Sequence, residues 1–199
     1  MEQITAAAGL RYASATDLDA LLGEYRGRVL GVVGFGKRRP GRKDIVSAWV
    51  DMPSVGAEQS YEVWTSVAPV QNGSSGRIRS ARNAQILFGC IEIPEDSQVD
   101  YDALIYNDYC RIFDHLDDLG YPNLLRIWHY LPDIHLDEHS LERYKRFSLG
   151  RHEAFVAKGR AISMDAPAAS AVGKRPGNTV ICFLAAPRPG RPVENPRQV

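Results

Sequence analysis

From residue 29 onward the hydrophobic positions fall in short runs typical of strands. Val29-Leu30-Gly31-Val32-Val33-Gly34-Phe35, the run 45–53 and the run 61–67 are rich in β-branched and aromatic residues, and glycine, proline and serine clusters bound them. This pattern predicts consecutive strands, most simply arranged as a meander. Upstream, residues 1–27 are weakly patterned. Asp17, Leu18, Leu21, Leu22 and Tyr25 make one short helical stripe before Gly27, so the segment reads as an N-terminal extension. Gln71-Asn72-Gly73-Ser74-Ser75-Gly76 reads as a loop. Arg77, Arg79 and Arg82 follow, and the apolar run 84–93 that closes at Pro94 predicts another strand.

The period then changes. Tyr101, Leu104, Ile105, Tyr109, Ile112, Phe113, Leu116 and Leu119 recur three and four apart between Asp100, a candidate N-cap, and Gly120. That spacing predicts a helix over 101–119. Leu124-Leu125-Arg126-Ile127-Trp128-His129-Tyr130-Leu131, stopped by Pro132, reads as a strand largely buried on both faces. A second helix is predicted from near Ser140 through Leu141, Tyr144 and Phe147, with Gly150 bending it ahead of Ala154, Phe155 and Val156. Residues 179–186 predict a final strand. Pro187, Pro189, Pro192 and Pro196 leave little room for helix or sheet, so 187–199 is expected to be a linker.

Composition narrows the function classes. The 199 residues suit one domain with an extension, and 24 basic residues balance 24 acidic ones, so net charge gives no reason to expect nucleic acid as a partner. Cys90, Cys110 and Cys182 are odd in number and widely spaced, which suggests neither a disulfide framework nor a zinc site. The first residues lack a basic stretch leading into an apolar one, and no run approaches the roughly 18 apolar residues of a spanning helix. A soluble cytoplasmic protein with no membrane partner is expected.

Two stretches carry a family resemblance. The helix 101–119, the segment Tyr121-Pro122-Asn123-Leu124-Leu125 through Tyr130-Leu131-Pro132-Asp133-Ile134, and the helix holding Arg143-Tyr144-Lys145-Arg146-Phe147 are similar to the RidA (YjgF) superfamily. Pro167-Ala168-Ala169-Ser170-Ala171-Val172-Gly173 resembles that superfamily's Pro-Ala-Arg-Ser-x-Val segment. Within the superfamily, the run 125–134, the run Gly150-Arg151-His152-Glu153-Ala154-Phe155 and the ending 193–199 resemble the chorismatases, over roughly 29–199.

The resemblance implies an α+β fold over 28–186: a RidA/YjgF-like (chorismate mutase-like) mixed sheet packed against two helices in a barrel-like arrangement. It implies a chorismate-like small molecule as substrate of the complete enzyme, with pyruvate and a hydroxybenzoate or dihydroxycyclohexadiene carboxylate as products, and no cofactor. It also implies a second, similarly folded C-terminal domain holding most of the active site, including the general-acid glutamate. No catalytic residue is therefore assigned within 1–199, which is expected to be inactive alone, and a homo-oligomer stays open. The alternative is a free-standing RidA-like enamine/imine deaminase or ligand-binding trimer. Ala169 stands where the deaminases carry an arginine that holds a substrate carboxylate bidentately, and a methyl group cannot do that.

Within the chain the substrate-binding candidates are Arg77, Arg79, Arg82, Arg151 and Glu153. Arg77 and Arg79 are expected to share one face of a strand, and with Arg82 form a cluster suited to a dicarboxylate. In the trio Arg151-His152-Glu153, a glutamate beside a histidine suits acid–base work, although adjacent helical residues point different ways, so a structural role is the default. Asp133, His135, Asp137 and His139 have ligand chemistry but straddle a loop, and no metal is expected. Lys37, Arg38, Arg39, Arg42 and Lys43 read as a solvated hairpin tip. Gly34-Phe35-Gly36 lacks the third glycine of a dinucleotide fingerprint, and Ser74 and Ser75 do not sit in a nucleophile elbow.

Overall fold

Val29–Phe35 forms a strand as predicted, but it is central to a sheet rather than first in a meander. A computed structural model describes residues 7–36, 44–52, 59–94, 99–138, 140–160 and 166–190. The first sheet holds β1 (Ala8–Ser14), β2 (Val29–Phe35), β3 (Ser47–Val50) and β4 (Ser60–Ser66) in the order β1-β4-β2-β3. β4 lies antiparallel between β1 and β2, whereas β3 runs parallel to β2. The N-terminal segment thus joins the fold, with β1 at the sheet edge and α1 (Leu18–Glu24) burying Leu18 and Leu22 against Val29, Val32, Tyr61 and Val63. Strand order escapes a pattern argument because hydrophobic runs report burial and not neighbours.

The second sheet follows the order β11-β8-β12-β7-β6-β5, built from β5 (Gln71–Ser75), β6 (Ile78–Arg82), β7 (Leu87–Ile93), β8 (Asn123–Pro132), β11 (Ala168–Lys174) and β12 (Thr179–Ala186). It is mixed, as expected, since β11 runs parallel to β8 and the other pairings are antiparallel. Residues 71–75, expected as a loop, are the exposed edge strand β5. Their polar, glycine-containing sequence suits an edge that needs only one partner.

Helices α2 (Tyr101–Leu119) and α3 (Arg143–Ala157) cover one face of this sheet. Their buried side chains, among them Tyr109, Ile112, Phe113, Phe147 and Phe155, mesh with Leu87, Ile91, Ile127, Leu131, Ile181 and Phe183. α2 ends as its sequence predicts: Gly120 is left-handed (φ 78°) and Tyr121 N–H donates to Leu116 O at 2.8 Å. At its start the Asp100 side chain caps no backbone N–H; it accepts from Arg146 of α3 instead. α3 starts three residues later than predicted, because Ser140 turns left-handed (φ 66°) between the short paired strands β9 (Asp137–Glu138) and β10 (Leu141–Glu142). Gly150 lies in the interior of α3 (Arg143–Ala157). It lets the helices touch: a Cβ there would lie 2.1 Å from Asp102 O.

The opposite face of the six-stranded sheet packs on the four-stranded one. Leu30, Val33, Ala48 and Val50 meet Phe88, Cys90, Tyr130, Val180, Cys182 and Leu184 in a second core. β8 is therefore covered on both faces, which accounts for apolar residues on both of its faces. The layers run α1, four-stranded sheet, six-stranded sheet, α2 with α3. No helix among the described residues is long and apolar enough to cross a membrane. The basic segment 37–43 and residues 191–199 of the expected linker lie outside the described residues.

Candidate functional site

The arginines around β6 part company. Gly76 turns left-handed (φ 55°) just ahead of the strand, and Arg77 swings to the helix side, where Nη2 donates to Asp108 Oδ1 and Oδ2 of α2 at 2.9 and 2.7 Å. Arg111 adds a third contact at 2.8 Å, and the Asp108 side chain is fully buried beneath the two guanidinium groups. Arg79 pairs in register with Cys90, so it faces the four-stranded sheet, and donates to Glu92 Oε1 at 3.1 Å. The expected shared face is not found. Arg82 is half-buried beside His115, whose Nε2 shares a 3.0 Å hydrogen bond with the buried Ser80 hydroxyl. Burial, and then the Arg82 charge, push the His115 imidazole below its usual range.

Arg151 stands at a different locus. It is half-buried on α3, its guanidinium 5.2 Å from the Phe155 ring centroid, and its charge acts on the buried Tyr109. Tyr109 Oη lies 2.5 Å from His129 Nε2 of β8, and His129 Nδ1 lies 2.7 Å from Ser170 O of β11. A carbonyl oxygen only accepts, so Nδ1 carries the proton and Nε2 accepts from the tyrosine. Burial pushes His129 down to about 3 and raises the Tyr109 phenol well above its usual range. Both are therefore neutral near pH 7. The chain from α2 through β8 to β11 binds an edge strand of small residues to the core.

His152 and Glu153 are exposed and diverge from Arg151, as adjacency on a helix dictates. The five candidates are thus spread over at least three places. Ala169 pairs in register with Ile127 and is exposed, leaving no cation at that position to hold a carboxylate. His135 shares a 2.7 Å hydrogen bond with Glu142, and no group of three or more possible metal ligands occurs among the described residues, which do not include His139.

Sequence reasoning passed over Asp108, Tyr109, His115 and His129. Two signals were present: His129 and Arg126 interrupt a largely apolar strand run, and Asp108 and His115 sit on a helix beside its apolar stripe. Neither signal names a partner, because the partners are 20 to 41 positions away.

Residues 62–185 match the family model described as chorismatase FkbO/Hyg5-like, N-terminal. A chorismatase from Streptomyces rapamycinicus is 36% identical over 142 residues, covering 70% of this chain and 41% of the relative. A 3-hydroxybenzoate synthase from Streptomyces hygroscopicus is 31% identical over 152 residues, 75% of this chain and 44% of its own. A chorismatase crystal structure superposes with a TM-score of 0.80 at 28% identity, covering 92% of this chain and 54% of that one. A YjgF-family protein from Neisseria meningitidis matches 61% of the chain at a TM-score of 0.42 and 15% identity. The chain spans about two-fifths of the length of its curated relatives. With one family's N-terminal model running from β4 to the end of β12, and a chorismatase fold laid over nearly all the described strands and helices, the chain belongs to the FkbO/Hyg5-like chorismatases as their N-terminal domain.

Proposed function

We propose that this chain is the N-terminal, scaffolding half of a cytoplasmic enzyme that cleaves chorismate into pyruvate and a hydroxybenzoate or dihydroxycyclohexadiene carboxylate. The observation that carries the reading is the match to an N-terminal family over 62–185 by a chain spanning 41% to 44% of its curated relatives. The internal chemistry supports it: the Arg77–Asp108 and Arg79–Glu92 pairs and the Tyr109–His129 relay join one element to another. In the whole enzyme the chemistry needs protonation of the enol ether methylene, then capture of the resulting cation by water or by the ring hydroxyl, with release of pyruvate. A carboxylic acid suits that proton transfer, and in this reading it belongs to a second domain joined through residues 187–199. Arg77, Arg79, Arg82, Arg151 and Glu153 then orient that domain or its substrate rather than react.

Chorismate incubated with purified 1–199 and a pyruvate-coupled assay tests the proposal. No pyruvate above a protein-free control is expected, and turnover by this chain alone refutes the scaffolding role. Imine decay in a coupled amino-acid oxidase reaction tests the deaminase alternative, against which Ala169 counts; no acceleration is expected.

A further inference from the structure

Between the two sheets Trp64 of β4 meets Trp128 of β8, and β1 and β11 are the outermost strands beside them. On β4, Tyr61 and Val63 point toward α1, so Glu62 and Trp64 point into the space between the sheets. On β8, Ile127, His129 and Leu131 face α2 and α3, so Arg126, Trp128 and Tyr130 point into the same space. The rings of Trp64 and Trp128 meet there at 5.2 Å, tilted by 54°, and both remain half-exposed. Tyr12 of β1 stands opposite Glu62 in register and Val172 of β11 opposite Tyr130, so both border this space. They are 73% and 41% exposed, and solvent therefore reaches the space along this edge.

Two charged groups beside these indoles, Arg126 and Glu62, are incompletely used among the described residues. Arg126 lies over the Trp128 ring, 5.2 Å from its centroid, and Nη2 makes one hydrogen bond, 3.2 Å to Ser170 Oγ. A guanidinium carries five N–H donors, so most of the fork is free for an anion. Glu62 is half-buried and makes no hydrogen bond or ion pair among the described residues; desolvation raises its carboxyl pKa. Glu62 lies two positions from Trp64 on β4 and Arg126 two from Trp128 on β8, so the meeting of the two indoles brings both charges to the same part of the space, where both act on the buried Tyr130 phenol. A half-buried carboxylate without a donor is costly to retain, and a hydroxyl supplied by a ligand would relieve that cost.

We propose that this open edge is a binding site for a small planar carboxylate bearing a hydroxyl group. The carboxylate sits on Arg126, the ring lies against Trp64 and Trp128, and the hydroxyl donates to Glu62. The site is distinct from the Arg77, Arg79 and Arg151 loci, and it stands whether or not the chain is half of a chorismate-cleaving enzyme, since it concerns binding and not turnover.

The test titrates the full 199-residue chain with 3-hydroxybenzoate, benzoate and 3-hydroxybenzyl alcohol. Tryptophan fluorescence and the three indole N–H resonances are followed together. The expected result is saturable binding of 3-hydroxybenzoate, weaker binding of the other two, and shifts at Trp64 and Trp128 but not at Trp49. Arg126→Met, which keeps the stem on Trp128, should weaken 3-hydroxybenzoate about tenfold or more. Glu62→Met should bring 3-hydroxybenzoate and benzoate to equal affinity. No saturation at millimolar ligand, equal binding of 3-hydroxybenzoate and benzoate by the wild type, undiminished binding by Arg126→Met, or shifts centred on Trp49 would each overturn the proposal. The indole pattern of the wild type decides the location even if a variant fails to fold.

Discussion

Replacing His129 with glutamine should flatten the pH dependence of stability between about pH 7.5 and pH 5.5. In the folded chain Tyr109, Arg151, Arg126 and the Ser170 carbonyl surround the imidazole, and burial holds its pKa near 3 against 6.5 for a free histidine. The folded value is depressed, so its stabilising contribution is complete above the unfolded value and declines as pH falls through 6.5 toward 3. At about pH 5.5 the unfolded chain binds this proton roughly ten times out of eleven while the folded chain does not, and RT ln 11 is about 1.4 kcal/mol. The figure is insensitive to the folded pKa, which lies well below the window. His115 shifts in the same sense and Glu62 in the opposite one, and both remain in the variant. Glutamine can still donate to Ser170 O and accept from Tyr109, but it does not titrate. Urea unfolding followed by tryptophan fluorescence at the two pH values measures the effect. The wild type should lose about 1.4 kcal/mol more than His129→Gln across the window, and any constant cost of the substitution cancels. Parallel pH profiles for the two proteins would refute the buried, neutral assignment.

Two further predictions concern packing and buried charge. Gly150→Ala places a methyl 2.1 Å from the Asp102 carbonyl, so α2 and α3 must part at a cost of about 1–3 kcal/mol; Gly23→Ala in α1, with open space around its Cβ, should stabilise by about 0.5 kcal/mol in the same thermal melts. Asp108 is fully buried while Arg77 and Arg111 are 40% and 61% exposed. Removing both cations by Arg77→Met with Arg111→Met strands a buried carboxylate and should cost about 3 kcal/mol, whereas Asp108→Asn leaves two arginines that water can solvate and should cost about 1 kcal/mol. Equal costs in chemical denaturation would show that the charge is not held in a dry site.

The elements whose signal is local were legible from residue order alone. The three-and-four spacing from Tyr101 to Leu119 with Gly120 behind it returns as α2, and the apolar run 124–131 returns as the doubly covered β8. Such features depend on residues within a turn or two of one another, and solvent segregation acts on them directly. The co-ordered motifs 125–134, 150–155 and 193–199 likewise point to the chorismatases from residue order alone. Tertiary structure alone decided that β3 lies parallel to β2, that residues 8–14 complete a sheet, and that Gly150 is a contact between helices. It also separated Arg77 from Arg79 and joined Tyr109 to His129, because a side chain's partner depends on which faces the packed layers bring together. Glu62 and Arg126, 64 positions apart, face one inter-sheet space only because the two sheets pack face to face and bring Trp64 against Trp128, and no short-range preference encodes that placement.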